Sequence, residues 1–375
     1  MHPNRPRPGS TSRRPRATRP FGHLASLGFL LLALPTAGAG CASCERAGQG
    51  TLSVMGGTIN DPGNKSLRRG MMAFGIDRAC SEMLKRSAAL REGGETSGSA
   101  TNPTNGRFFP KTCSAATAEN GDLVMSLSGT GYTYASMVHK VTFDAAATVT
   151  FDQDFLMSGD DLYGYFRTKD VSKPKVTLKV IESRLPAIAN QLTGFGENYA
   201  RQLMDEKMRD GFTMRRRPNS ETDFRSGIVQ LGTWPRLDYD VKGGLTLAND
   251  RSEVHEQQRD FLGPFEVTDG DKALFVRGKI DGAPGLNVLV IDDATAKPWI
   301  ETYLTAAEAT SPPAPPKQSY TTQQGQEFAI TVSGKGTYWI VLDNTATIAG
   351  GYKPPGNLLD DRAAVVSYAV VYGDK

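Results

Sequence analysis

The chain has 375 residues, with 43 Lys and Arg against 40 Asp and Glu and a hydrophobic fraction of 39%. Six of the arginines lie in the first twenty residues, so the rest of the chain carries a net charge of about −3, which removes the electrostatic reason to expect nucleic acid as a partner. The 40 glycines and 22 prolines favour a turn-rich β architecture over a helical bundle.

Residues 1–40 have the three parts of a secretory signal peptide. An arginine-rich start without Asp, Glu or Lys is followed by an apolar core, Leu24–Leu34, and then by small residues up to Gly40. A helix that spans a bilayer needs about 20 apolar residues, which is more than this core contains. The pattern therefore predicts an export signal and not a permanent transmembrane anchor.

The end of this leader, Gly38-Ala39-Gly40-Cys41, resembles the lipobox of bacterial envelope lipoproteins. In that family the cysteine thiol receives a diacylglyceryl group and becomes the new N-terminus. The resemblance implies that Cys41 is lipidated and that the protein is held at the cell membrane or the outer membrane, facing the periplasm. The alternative is ordinary cleavage within Ala37–Ala39, which would leave a secreted protein.

Three further cysteines follow, Cys44, Cys80 and Cys113. In an oxidising compartment they allow one disulfide and leave one thiol over. We expect the pair Cys80–Cys113, because both residues lie in the first folded region, with Cys44 as the competing partner. The Cys-x-x-Cys spacing that starts at Cys41 lies at the leader boundary and not between a strand and a helix, which argues against a redox role.

The polar stretch 41–65 predicts a flexible tether, and residues 66–248 predict an α+β domain with an antiparallel sheet and two helices. The helices are expected from Ser66 to about Leu90 and from Glu197 to Asp210, on the basis of their apolar spacing. Alternating or apolar runs predict the strands Asp122–Leu127, Val138–Phe143, Ala147–Phe151, Leu162–Phe166, Lys175–Ile181, Phe212–Arg215, Phe224–Gly232 and Tyr239–Leu247.

Residues 249–259 are polar and predict a domain boundary, after which residues 258–375 predict an antiparallel β-sandwich without helices. The proline-rich stretch 310–317 is expected to be a stiff loop inserted in this domain. The run Gly336–Asn344 and the C-terminal strand resemble the last strands of GOLD-like or pre-peptidase-type β-sandwiches, which implies a non-catalytic binding module. The expected strands are Phe261–Val267, Ala273–Ile280, Leu286–Ile291, Phe328–Val332, Tyr338–Leu342 and Ala364–Val371.

Residues suited to catalysis are scarce after the leader. The two remaining histidines are His139, in a predicted strand, and His255, in the predicted polar linker, and no nucleophile elbow, phosphate-binding loop or zinc-protease motif occurs. We therefore expect no enzyme activity. Carboxylates in predicted turns are candidate calcium ligands, since calcium prefers several oxygens, although Asp in a turn more often bonds its own backbone. These candidates are Asp269, Asp271, Asp292 and Asp293.

These features predict a lipid-anchored envelope protein with a binding or structural role and with an envelope protein or cell-wall polymer as its partner. Two alternatives stay open at this point. A curved sheet with two amphipathic helices could enclose a cavity and carry an apolar ligand such as a lipid. A hydrolase with an unrecognised carboxylate site is the other alternative, and it would need two opposed acids in a cleft.

Overall fold

The computed structural model describes residues 56–73, 80–81, 83–91, 103–135, 139–158, 161–181, 212–218, 224–229, 241, 244–355 and 362–375. The chain divides into two compact units, Met1–Ser43 and Cys44–Lys375, and all described residues belong to the second. Strands dominate this unit and form two sheets, so the predicted β-rich fold with a β-sandwich is confirmed.

Within the described residues, both ends are defined for two α-helices and fifteen strands. The helices are α1 (Lys65–Ala73), which follows a 3₁₀ turn at Pro62–Asn64, and α2 (Asp293–Thr305). The strands are β1 (Ala88–Arg91), β2 (Thr104–Thr117), β3 (Leu123–Ala135), β4 (His139–Ser158), β5 (Asp161–Ile181), β6 (Phe212–Pro218), β7 (Phe224–Val229), β8 (Leu245–Val254), β9 (Gln258–Val267), β10 (Lys272–Asp281), β11 (Gly285–Asp292), β12 (Gln318–Gln323), β13 (Glu327–Ser333), β14 (Gly336–Asn344) and β15 (Ala364–Asp374).

The larger sheet, which we call the first sheet, runs through both halves of the described chain. Its order is β13-β10-β15-β8-β2-β3-β4-β5-β6-β7, and β1 pairs with β2 beside this path. Every pairing is antiparallel except the single parallel bridge between Thr104 on β2 and Ser252 on β8. This bridge is the seam between the N-terminal and C-terminal strands.

The second sheet has the order β12-β11-β14-β9, and it packs on β8, β10, β13 and β15 to form the sandwich. Its outer face is covered by α2, so β11 and β14 are buried on both sides. This double burial explains why the sequence of β11 is almost continuously apolar, whereas β13, with one wet face, alternates strictly between buried and exposed residues.

The N-terminal strands have a separate apolar core on one side of the first sheet. Leu123, Met125, Phe143 and Val149 are among its buried residues, and Met72, Cys80 and Met83 from the helical region pack against it. The disulfide Cys80–Cys113 joins this helical region to β2, so the expected cysteine pairing is present. The predicted helix ends earlier than expected, because Ala88–Arg91 form strand β1.

Part of the predicted tether is folded. Residues 56–64 form helical turns beside the end of β4, where Asn60 exchanges two hydrogen bonds with the backbone of Met157, at 2.6 and 2.9 Å. Arg68 bonds the Asp154 carboxylate and the Ile59 carbonyl. The prediction of a tether up to residue 65 is therefore wrong for this part, because short polar side chains here bond to a strand edge instead of to water.

Two expectations for the C-terminal half are also wrong. Residues 249–259 are not a linker, since they belong to β8, β9 and the turn between them; they are polar because Ser252 and Arg259 take part in buried networks. The sandwich also contains helix α2, which was not expected. The proline-rich stretch lies in the loop between α2 and β12, as predicted. The predicted helix Glu197–Asp210 lies outside the described residues.

Candidate functional site

A buried polar network occupies the seam where β2 and β3 meet the sandwich. Its centre is the carboxylate of Asp260 on β9, which accepts hydrogen bonds from four donors. Arg107 on β2 donates from Nε to Oδ1 and from Nη2 to Oδ2, the latter at 2.8 Å. Tyr132 donates to Oδ1 at 2.8 Å and Ser252 donates to Oδ2 at 2.6 Å. Tyr368 lies 3.3 Å from Arg107 Nη2, and we call these five residues the Asp260 network.

Burial and charge set the protonation states in the Asp260 network. Burial alone would lower the pKa of Arg107, but the adjacent Asp260 carboxylate raises that pKa well above its usual range. Burial, reinforced by the negative charge of Asp260, raises the pKa of Tyr132 well above its ordinary value. Burial likewise raises the pKa of Tyr368 to about 12. Both phenols therefore keep their protons at neutral pH, and the network is one ion pair surrounded by neutral groups.

A second network is centred on Arg259, the neighbour of Asp260 on β9. Adjacent strand residues point to opposite faces, so Asp260 faces the first sheet while Arg259 and Phe261 face α2. The Arg259 guanidinium donates to Asp343 Oδ2 at 2.7 Å and to the Thr310 carbonyl at 2.8 Å, and neither side chain of the ion pair is exposed.

The remaining contacts of Arg259 involve its Nη2 atom and the ring of Trp299. Nη2 donates to the hydroxyls of Thr345 and Thr347 at 3.1 and 3.0 Å, and the guanidinium lies 4.5 Å from the ring centroid of Trp299. A planar fork with five N–H donors suits this arrangement, which a lysine could not reproduce. Arg259 thereby ties β9 to β14, to α2 and to the start of the proline-rich loop.

Lys140 on β4 links the N-terminal strands to the same helix. Its Nζ donates to the Tyr303 carbonyl at 3.2 Å and to the Ala306 carbonyl at 2.7 Å, at the C-terminal end of α2. Carbonyls at a helix C-terminus lack intrahelical partners and carry partial negative charge, so a cation is favourable there. Lys140 is 1% exposed, so this contact is a fixed part of the interior.

These groups bind one another instead of a solvent-facing ligand. Asp260 and Asp343 each face a guanidinium, and each accepts further hydrogen bonds from neighbouring donors. Carboxylates held in this way are buried and fixed in orientation, whereas an acid–base catalyst must be able to reach a substrate. The arrangement is suited to holding the two sheets and α2 together.

The predicted calcium ligands lie on two different elements. Asp269 and Asp271 are in the turn between β9 and β10, where the Asp269 side chain accepts from the Asp271 N–H at 3.0 Å. Asp292 is the N-cap of α2 and accepts from the Thr295 N–H at 2.9 Å, while Asp293 binds Lys297 and the Trp339 indole. Hydrogen bonds from Thr295, assisted by Lys317, lower the pKa of Asp292.

Within the described ranges, no group of three or more His, Cys, Asp or Glu side chains is placed to hold a metal ion. Asp269 and Asp271 lie in a turn, Asp292 caps α2, and Asp293 is the first residue of that helix. Over the same ranges, no helix has the length and apolar character needed to cross a bilayer.

The two histidines belong to different parts of the fold. His139 is the first residue of β4, and its side chain lies outside the described set. His255 does not lie in a polar linker, as expected, but is 6% exposed in the turn between β8 and β9. Its ring stacks on Tyr134 and its Nε2 lies 2.7 Å from Glu253. Cys41 and Cys44 fall outside the described residues.

Neither network was predicted from the sequence, although the sequence contains a signal for them. Charged residues directly adjoin apolar runs of strand length, as in Arg259-Asp260-Phe261-Leu262 and Leu342-Asp343. A charge at such a position is either at a strand edge or paired in the interior. Pairing depends on the partner strand, and Arg107 is 153 residues from Asp260.

No family model matches this chain, and no curated protein matches it. Among solved structures, a protein of the disulfide-linked pili that form Bacillus endospore appendages is 8% identical, with a TM-score of 0.21, over 38% of this chain and 99% of that one. An exo-β-1,3-galactanase from Phanerochaete chrysosporium is 7% identical, with a TM-score of 0.19, over 70% and 82% of the two chains. Likeness this slight carries no functional argument.

Proposed function

We propose that the protein is a non-catalytic, lipid-anchored protein of the cell envelope with a binding or structural role. The observation that carries this proposal is that the buried cationic side chains bind buried carboxylates and helix carbonyls. Arg107, Arg259 and Lys140 spend their donors on Asp260, Asp343 and helix carbonyls, so they stabilise the scaffold. The leader and Cys41 supply the anchor in this proposal.

The disulfide supports the exported location that the proposal requires. Bonds such as Cys80–Cys113 persist in oxidising compartments and are rare in the cytosol of most organisms. The apolar side of β3 and β4 is packed against Met72, Cys80 and Met83. A carrier of an apolar ligand would need such a face to be open, so a binding or structural role is the better supported of the two.

The intact mass of the protein from the membranes of its own host tests the proposal. We expect a chain that begins at Cys41 and carries a diacylglyceryl mass, with a gain of two daltons on reduction. A Cys41→Ser variant should lose the lipid and leave the membrane fraction, whereas a Cys44→Ser variant should keep both. An unmodified chain that starts before Cys41 would overturn the anchor, and stoichiometric lipid beyond the anchor would favour the carrier.

A further inference from the structure

Strand β13 forms an edge of the first sheet. Among the described strands it pairs only with β10, over all seven residues and without a register shift. Soluble proteins usually interrupt such edges with a bulge, a proline or a lysine, and Glu327–Ser333 contains none of these. The exposed side chains of this strand are also short, apart from the first; they are Glu327, Ala329, Thr331 and Ser333.

The backbone groups of these exposed residues point away from β10. The Ile280 N–H donates to the Gln326 carbonyl at 3.4 Å, and in an antiparallel ladder the residues that bond to the neighbour alternate along the strand. The Thr331 carbonyl is therefore an outward acceptor, and Gln318 Nε2 of β12 reaches it at 3.1 Å. The Gln318 side chain thus occupies the middle of an otherwise regular strand edge.

We propose that β13 pairs with β13 of a second copy, antiparallel about a two-fold axis at Thr331. In that register Ala329 lies opposite Ser333 of the second copy, and Glu327 lies opposite its Lys335. Lys335 is exposed in the turn that follows β13, and the structure records no ion pair between it and another described residue. The edge therefore carries its own complementary charge at the two ends of the pairing.

At the centre of the proposed pairing, one hydrogen bond to the Thr331 carbonyl replaces another. The Gln318 amide leaves the Thr331 carbonyl, and the Thr331 N–H of the second copy takes its place. The short side chains at Ala329 and Ser333 allow the two strands to approach at the usual spacing of about 4.8 Å. Each Glu327, which already contacts Arg277 at 2.7 Å, gains a second cation.

Cysteine trapping tests the axis. Across a hydrogen-bonded antiparallel pair the Cα atoms lie about 5.5 Å apart, which is within the range that a disulfide can bridge. In a Cys44→Ser background, Thr331→Cys should give a covalent dimer on mild oxidation of the full chain in detergent. Thr302→Cys, at an exposed position on α2, should not. A Thr331→Cys variant that stays monomeric under these conditions would overturn the axis.

Sedimentation of the full chain tests the pairing without added cysteines. We expect a concentration-dependent dimer that Ala329→Pro abolishes, because proline removes an outward N–H without removing a bond to β10. Ala329→Ser is the matched control and should still dimerise. Gln318→Ala should favour the dimer, since it frees the Thr331 carbonyl.

Lys335→Glu tests the register and does not touch the core. It should raise the dimer Kd several-fold at low salt, since exposed ion pairs are individually weak and screened by salt. A wild-type monomer at every concentration would contradict the proposal, as would a dimer that survives Ala329→Pro. A dimer lost in Ala329→Pro but unchanged by Lys335→Glu would overturn the register. Should Ala329→Pro fail to fold, Thr331→Cys and Lys335→Glu decide the matter.

Discussion

Arg107 on β2 and Asp260 on β9 form a two-bond ion pair across 153 residues of chain, and each side chain is only 6% exposed. The pair lies beside the parallel bridge Thr104–Ser252, which joins the N-terminal and C-terminal strands of the first sheet. A buried charge that loses its partner is strongly unfavourable, so this contact couples the stability of the two halves.

Removal of Arg107 should destabilise the whole unit. Arg107→Ala leaves the Asp260 carboxylate buried without its cation, and we expect a loss of about 3–5 kcal/mol in the free energy of unfolding. Urea unfolding followed by fluorescence measures it. Arg277→Ala, which breaks the exposed pair with Glu327, is the control and should cost at most about 1 kcal/mol. Equal losses in the two variants would contradict the role assigned to the Asp260 network.

The disulfide should stabilise the N-terminal part because it lowers the conformational entropy of the unfolded chain. Cys80 and Cys113 are 33 residues apart, and closing a loop of that size is worth about 3–4 kcal/mol. The double variant Cys80→Ser/Cys113→Ser should therefore unfold at lower urea than the parent. Reduction should move the parent to the midpoint of the variant and leave the variant itself unchanged. If reductant leaves the urea midpoint of the parent unchanged, the disulfide contributes little to its stability.

Tyr368 should make the fold sensitive to alkali. An unfolded tyrosine ionises near pH 10, and burial raises the pKa of Tyr368 to about 12 in the folded protein. The raised pKa contributes stability that is fully present below pH 10 and is lost as pH rises towards 12. Phenolate absorbance and unfolding should thus rise together in that window. Tyr368→Phe should flatten the pH dependence, whereas Tyr320→Phe, at an exposed position, should not change it.

Substitution of Asp292 distinguishes a helix-capping role from calcium binding. As the N-cap of α2 it satisfies the Thr295 N–H, so Asp292→Ala should cost about 1 kcal/mol and Asp292→Asn much less. Thermal unfolding with and without a chelator completes the test. If Asp292 is only a cap, chelator leaves the Tm of the parent unchanged. A fall in Tm with chelator that is absent in Asp292→Ala would identify a calcium site there.

Strand content could be predicted from alternation, but the extent of each strand could not. The runs Val138–Phe143 and Ala147–Phe151 are separate in the sequence because Asp144 interrupts the pattern. In the structure residues 139–143 and 147–151 all belong to β4, since Asp144 lies on the wet face and pairs with Lys179. In the sequence alone, a polar residue on the solvent-facing side of a strand therefore cannot be distinguished from a turn residue.

Helix α2 shows why one element escaped prediction. Pro298 within Asp293–Thr305 reads as a helix breaker, and in the structure it lies on the exposed side, where the helix gives up one backbone hydrogen bond. The buried residues Trp299, Ile300, Tyr303 and Leu304 have helical spacing that could have revealed the element. The two networks could not be foreseen, because each joins side chains whose proximity depends on the order of strands in the sheets.

The position of β15 has a consequence for how the protein is made. This strand, residues 364–374, is an interior strand of the first sheet, between β10 and β8. A nascent chain that lacks it has a gap where its neighbours on both sides would bond, so the sandwich cannot close before this strand has been made. Pairings this distant in sequence form slowly. A chain that stays open until residue 374 has emerged would suit the proposed export, if that export uses a pore that accepts only unfolded polypeptide.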